Sequence, residues 1–422
     1  MNDYQNRLVE NKDSGEEILL SSIDLIDSIK RYDAREAKAL SIFGNSTIQT
    51  FQPATFQSRG YPFRIANPSE LWRYHDMMKD NQFENLLGTI GSLSTVEFNL
   101  LVKTSQQIRA YGTKFLGIDG TGKKALLASL NYLRIIENRV GIENLSGLKI
   151  LEIGPGCGYL GLLAWAKEYQ YSAVENAQAL FLYQKNLWSS VVGEGYQDLS
   201  ESEEPSASAL SHIPWWKVAD TNVNLPAFNV VICNHALAEM SKSALKFYLW
   251  RIREEWSRAN ALTGVVIAQS LGAKNVTYAE VLGVFSSCGY ELIEKSSGVT
   301  KFDDVYCWRL QNTGGLEIFL KVKDKTKKHF LIKFLSACRR GKLKLLLTAA
   351  KKILIPSTRQ LVDLKLEFPQ SVKNNWLANR NVDPERLRTY FESIIPSELT
   401  AEDSFGRYLK NGNGKKLPTL SI

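Results

Sequence analysis

Residues 151–161 read LEIGPGCGYLG, with glycines at 154, 156, 158 and 161. Two nucleotide-binding fingerprints fit this stretch at once. Gly156-Cys157-Gly158-Tyr159-Leu160-Gly161 satisfies G-x-G-x-x-G, and Glu152 through Gly158 satisfies E-x-G-x-G-x-G. Both describe a turn from a strand into a helix in which the backbone comes close to a ligand or adopts positive φ, the two things glycine permits. The glycines alone do not choose between a dinucleotide and another adenosine-containing cofactor.

The neighbours do. Glu152 stands just before the first glycine, where a carboxylate can anchor the turn near a cofactor amino group; a dinucleotide fold normally packs an apolar residue there. Glu175 closes the next apolar run, where an acid can accept both ribose hydroxyl protons, a use open to either cofactor. Asp220 follows the expected third strand, where an acid can bond an adenine amino group. Leu225-Pro226 precedes the expected fourth strand, and Asn234-His235 sit at that strand's carboxyl end, facing the crevice. No Tyr-x-x-x-Lys pair follows the turn, which counts against a hydride-transferring enzyme.

On these motifs residues 148–312 resemble a class I methyltransferase dependent on S-adenosylmethionine (SAM), with LEIGPGCG as the first motif. ICNHALAEM further resembles the Asn…Glu-Met segment of bacterial putative sugar O-methyltransferases. The chain departs from that family at Pro155, where glycine is common, and at Ala236 and Ala238, where small hydroxyl residues are common; these bear on the acceptor more than on the cofactor. The resemblance implies a seven-stranded fold, SAM as methyl donor and a sugar hydroxyl as acceptor, in a nucleotide sugar or a surface-glycan unit. Glu152, Gly154, Gly156, Gly158, Glu175, Asp220 and Asn234 are the expected cofactor residues. Two other readings stay open: a methyltransferase for another small hydroxyl or amine, and a non-catalytic protein of the same fold at a membrane surface. Intact glycines, Glu175 and Asp220 count against the second.

Methyl transfer is an in-line displacement, so alignment supplies much of the acceleration. A neutral hydroxyl is a poor nucleophile and calls for a general base. His235 is the candidate, because a histidine at a strand's carboxyl end can accept a proton near neutrality. Glu239, four residues on and expected one turn along the next helix, can orient His235, serve as base, or simply be an acid favoured by the helix dipole. Many sugar O-methyltransferases use a divalent cation, so the resemblance leaves one possible; no carboxylate cluster and no histidine pair with metal-ligand spacing supports it, and no metal site is assigned. His212 and the Trp215-Trp216 pair offer aromatic surface to a sugar ring, although a tryptophan in a strand is more often core and alternation lets only one of the pair face the site. Gly117–Lys123 matches G-x-x-x-x-G-K, but Lys124 stands where a magnesium-binding Ser or Thr is needed, so a loop leading into a helix is expected.

These residues need an alternating scaffold to hold them. From about residue 121 strands and helices alternate, which predicts a Rossmann-like, doubly wound parallel sheet over 121–315. LKILEI, YSAVE, WWKV, FNVVIC, GVVIAQS, YELIEKS and VYCWRLQ are the expected strands, and residues 190–211 are expected as a polar loop. Residues 1–120 read as helical, with capping signals at Asn67-Pro68-Ser69-Glu70 and Ser94-Thr95-Val96-Glu97, and are expected to cover the acceptor side. Residues 316–422 form a basic, mainly helical region that includes the helix LRTYFESII.

Composition sets outer bounds. The 422 residues are 44% hydrophobic and 23% charged, a globular balance. Five scattered cysteines without a C-x-x-C pair argue for reduced thiols, and no leader-like or spanning apolar run is seen, so a cytoplasmic protein is expected. Residues 321–352 carry twelve Lys/Arg against Asp324 alone, a net of +11, which leaves 8 − 11 = −3 for the rest. That interleaved basic run suits packing on its own domain, or peripheral contact with anionic lipid at the inner membrane face, or a phosphate-bearing glycan. Nucleic acid is not expected, since no recognised module accompanies the charge.

Overall fold

The computed structural model describes residues 22–43, 60–77, 83–140, 145, 147–202, 204–205, 209–259, 264–269, 277–296, 304–310 and 381–394. The basic run at 321–352 lies outside them. Eight strands form one sheet: β1 (Lys149–Ile153), β2 (Gln170–Glu175), β3 (Tyr196–Asp198), β4 (Leu210–Pro214), β5 (Val230–Asn234), β6 (Val265–Gln269), β7 (Tyr290–Ser296) and β8 (Val305–Leu310). Their order is β3-β4-β2-β1-β5-β6-β8-β7. Pairs from β3 to β6 are parallel, while β8 runs antiparallel to both β6 and β7. The central strands are near-continuous apolar runs, as a sheet covered on both faces requires.

The helices are α1 (Ser22–Phe43), α2 (Phe83–Ile90), α3 (Thr95–Tyr111), α4 (Lys123–Val140), α5 (Tyr159–Ala166), α6 (Gln178–Val192), α7 (Trp215–Ala219), α8 (Lys242–Arg258), α9 (Tyr278–Ser287) and α10 (Pro384–Ile394). Successive connections lead from β1 out to β2 on one side and from β5 out to β6 on the other. That reversal opens a crevice at the carboxyl ends of β1 and β5, the place where such sheets bind ligands. Right-handed crossovers put α5 and α6 on one face of the sheet and α7 and α8 on the other.

Two sequence expectations are corrected. Trp215-Trp216-Lys217-Val218 is not a strand but opens α7; the strand lies just before it, at Leu210–Pro214. Residues 190–211 are not one loop, because α6 runs to Val192 and Tyr196–Asp198 adds a parallel edge strand, giving eight strands rather than seven.

The described residues before β1 are mainly helical. Ser94 and Glu97 close a reciprocal capping box at the start of α3, with the Ser94 hydroxyl accepting from the Glu97 N–H at 3.1 Å and Glu97 Oε2 accepting from the Ser94 N–H at 2.7 Å. Glu97 also binds buried Arg134 of α4 (2.8 and 3.0 Å), which donates in turn to the carbonyls of Ile90 and Ser92. Ser94→Ala should lower stability by about 1 kcal/mol, read as a shift in the denaturant midpoint with an unchanged slope. Gly117-to-Lys123 is a loop leading into a helix, and the start of α4 is closed by the Asp76 carboxylate, which accepts from the Ala125 N–H at 2.6 Å. The place a phosphate would take is filled by the chain's own acid.

LRTYFESII falls in α10, which packs on this helical region. Leu93 and Val382 exchange backbone hydrogen bonds (2.9 and 2.8 Å), Phe391 meets Phe83, and the Tyr390 hydroxyl lies 2.9 Å from that of Ser105. No helix among the described residues is long and apolar enough to cross a membrane.

Candidate cofactor site

The glycine turn joins β1 to α5 at the crevice. Gly154, Gly156 and Gly158 all have positive φ, at 72°, 59° and 75°. Two of them need glycine for different reasons. A Cβ on Gly156 would meet nothing within 4 Å, so this position leaves the crevice side open. A Cβ on Gly158 would lie 2.7 Å from the Trp188 ring, so α5 can approach α6 only without one. Trp188 also ties the turn down, donating from Nε1 to the Gly158 carbonyl at 2.9 Å.

Two buried carboxylates flank the turn. Glu152, on β1, accepts from the Tyr171 hydroxyl and from Asn234 Nδ2 at 3.1 Å. Glu175, at the end of β2, accepts the N–H groups of Asn176 (2.8 Å) and Ala177 (2.9 Å) on Oε1 and Gln184 Nε2 (3.2 Å) on Oε2. Gln184 donates as well to the Gly156 carbonyl at 2.6 Å, so one amide links Glu175 to the turn. Burial is the largest influence on each acid and pushes both up to about 7; the hydrogen bonds they accept work the other way. Both carboxyls are therefore held well above the ordinary carboxylate range.

Two buried acceptors remain without partners here: Gln184 Oε1 and Asn234 Oδ1. Such orphans are rare in native interiors and call for an explanation. Both belong to amides whose nitrogens are committed to the turn and to the two acids.

His235 follows Asn234 with φ 62°, a left-handed conformation costly for a residue with a Cβ, and its ring centre lies 6.5 Å from that of Tyr132. Strain of this kind collects at functional sites. Glu239 departs from expectation: it ends a 3-10 turn (Leu237–Glu239), and the next helix begins only at Lys242, capped by Ser241. Its charge adds slightly to the upward push on the Glu175 carboxyl and the buried Cys233 thiol. Asp220 is displaced too. It stands beyond α7 rather than at a strand end, with Oδ1 accepting from the Asn222 N–H at 3.0 Å. His212, Trp215 and Trp216 belong to the core. His212 is fully buried on β4, stacked 3.7 Å from Phe181, and burial holds it below the ordinary histidine range. Trp215 Nε1 donates to Glu36 of α1 at 2.7 Å, and neither tryptophan presents a free face. No group of three or more metal-ligating side chains occurs among the described residues.

Sequence reasoning passed over Tyr171, Gln184, Trp188 and His75. His75 Nε2 lies 2.9 Å from the Gly120 carbonyl, while Nδ1 faces the Tyr183 and Tyr159 hydroxyls at 3.3 and 3.4 Å. Cys157, inside the turn, donates to the Tyr74 carbonyl at 3.3 Å. The helical region before residue 120 is thereby fastened to the turn. One of these partnerships had a signal: a tyrosine in a buried strand needs a polar partner, and Glu152 is the acid on the adjacent strand.

No family model and no curated protein matches the sequence. Among solved structures the chain is similar to a TehB-like SAM-dependent methyltransferase from Corynebacterium glutamicum, at 15% identity and TM-score 0.30 over 44% of this chain and 98% of that one. It is similar to magnesium protoporphyrin IX methyltransferase from Synechocystis with bound SAM, at 11% identity and TM-score 0.30 over 58% and 98%. A third likeness is to the CcbJ methyltransferase from Streptomyces caelestis, at 10% identity and TM-score 0.32 over 44% and 90%. Likenesses this distant say nothing of cofactor or substrate, and the functional reading rests on the site.

Proposed function

We propose that this chain is a SAM-dependent methyltransferase whose acceptor is a hydroxyl of a sugar, in a nucleotide sugar or a surface-glycan unit. The observation that supports it best is the pairing of the E-x-G-x-G-x-G turn with buried, uncompensated acceptors. The residues fit the group: Glu152 and the orphaned Asn234 Oδ1 suit an ammonium, and Glu175 with Gln184 suits ribose hydroxyls. A dinucleotide gives the buried acid at 152 no evident task.

When bound, SAM supplies an electrophilic methyl on a sulfonium. The chain's own part is to hold the acceptor oxygen in line and to receive its proton. His235 takes that proton on an imidazole nitrogen as the oxygen gains its new bond, and Glu239 steadies the resulting charge. Fastened to the turn through Tyr74 and His75, the helical region before residue 120 shuts water from the acceptor side.

Calorimetric titration of the full chain with SAM, S-adenosylhomocysteine and NAD in parallel tests the reading. Binding of the first two without the third is expected; NAD binding alone would overturn it. Glu175→Ala should weaken binding of both adenosyl ligands at least tenfold, because charge-assisted hydrogen bonds of about 1.5–3 kcal/mol are lost. An unchanged affinity would remove Glu175 from the ribose.

A further inference from the structure

The opposite end of the sheet holds a second concavity, a cavity of about 790 Å³. Its lining includes Lys149, which opens β1, and it lies against the chain segment between α7 and β5. With a rise of 3.3 Å per residue, the length of β1 sets it roughly 17 Å from the glycine turn. The volume is within the range of small-molecule sites, roughly 300–1,000 Å³.

The chemistry of its floor is unusual for the fold. Tyr171 points to the face of α5 and α6, since it lies against Gly161 and Trp188. Ser172, next along β2, therefore points to the other face, and Ser211 is its register partner on β4. Both serines are buried, at 6% and 2% exposure. Buried faces of parallel strands ordinarily carry apolar side chains, so a polar row here is a departure from the rule. Its presence has a structural counterpart: α7 is only five residues long, and the chain returns to β5 without a further helix, so among the described residues no helix between these strands covers this half of the face.

Around the paired hydroxyls stand Lys149 and Lys217, with the carboxamide of Asn224 and one acid, Glu204. Hydroxyls and an amide suit the hydroxyls of a ligand, and two ammonium groups against one carboxylate favour an anion. We propose that this cavity is a second ligand site, for a hydroxyl-rich small molecule bearing a phosphate, of which a sugar phosphate is the simplest form. The site stands apart from the methyl-transfer reading and does not depend on it.

The full chain is titrated calorimetrically with glucose 6-phosphate, ribose 5-phosphate and inorganic phosphate. The variant Ser172→Val/Ser211→Val gives the floor the β-branched residues such strands ordinarily carry, so it should fold at least as well as the parent chain. The expected result is binding of a sugar phosphate that weakens about tenfold or more in this variant and in Lys217→Ala, yet is unchanged in Glu175→Ala. Loss in Glu175→Ala but not in the serine variant would place the ligand at the glycine turn and overturn the proposal. Failure of both sugar phosphates to bind, or equal binding of inorganic phosphate as an adventitious ion only, would overturn it as well.

Discussion

His235→Asn should lower kcat by about 10²–10⁴-fold, the range expected when a general base is lost, while leaving SAM affinity and folding intact. Asparagine is the informative substitution because it tolerates the left-handed backbone that His235 adopts at φ 62°. Geometry is preserved and only the proton acceptor goes. A comparison with His235→Gly separates chemistry from strain. Glycine relieves the conformation, so that variant should be more stable by about 1 kcal/mol and just as slow. The pH–rate profile of both variants should lose its acidic limb. Single-turnover rates with a sugar acceptor found by screening provide the measurement, and retention of kcat within a few-fold in His235→Asn would end the base assignment.

The second large effect concerns stability. Burial raises Glu152 to about 7, against about 4.3 in an unfolded chain. A raised carboxyl favours the folded state while it is protonated; that contribution is complete below the unfolded value and disappears as pH climbs through about 7. Above that, the cofactor-free protein carries a buried carboxylate at a cost of about 4 kcal/mol. Glu152→Gln removes the charge and keeps the shape. Its carbonyl can still accept from Tyr171, and Asn234 can turn its amide to accept from the new NH₂. The variant should therefore be more stable than the parent near pH 8, with the gap closing toward pH 5, in denaturant unfolding without ligand. Equal midpoints at pH 8 would contradict this. Glu175 is raised to about 7 as well and interacts with Glu152, so the two protons leave as a coupled pair. A cationic ligand should draw protons off that pair, making SAM binding release protons near pH 7 in buffers of differing ionisation enthalpy, and Glu152→Gln should release fewer.

Much of the site could be read from the chain because it is local. Glu152, Glu175 and Asn234 lie in the last residues of their strands, the glycine turn and His235 come directly after, and a short apolar run bounded by turn residues marks a strand end well. The errors fall where that signal fails. WWKV is apolar and short enough to be either strand or helix, and Pro214 before it is compatible with both. Misplacing that element carried Asp220 with it. The edge strand Tyr196–Asp198 is three polar-flanked residues with half-buried side chains, so no apolar period announces it. Gln184 and Trp188 were illegible for another reason: they reach the turn from α6, and tertiary packing alone brings them there.

The antiparallel pairing of Leu93 with Val382, and the seating of α10 on α2 and α3, tie residues that follow β8 by about seventy positions back to the helical region. In sequence, the basic run at 321–352 falls between β8 and α10. Cutting the chain at residue 311 to remove the positive charge would also strip α10 from the helical region, uncovering Phe83 and Phe98 and leaving the Arg388 pairs with Glu84 unmade. An excision that joins residue 310 to residue 381 through a flexible linker is the cleaner operation. Comparing the two deletions separates what the positive charge does from what α10 does for the helical region.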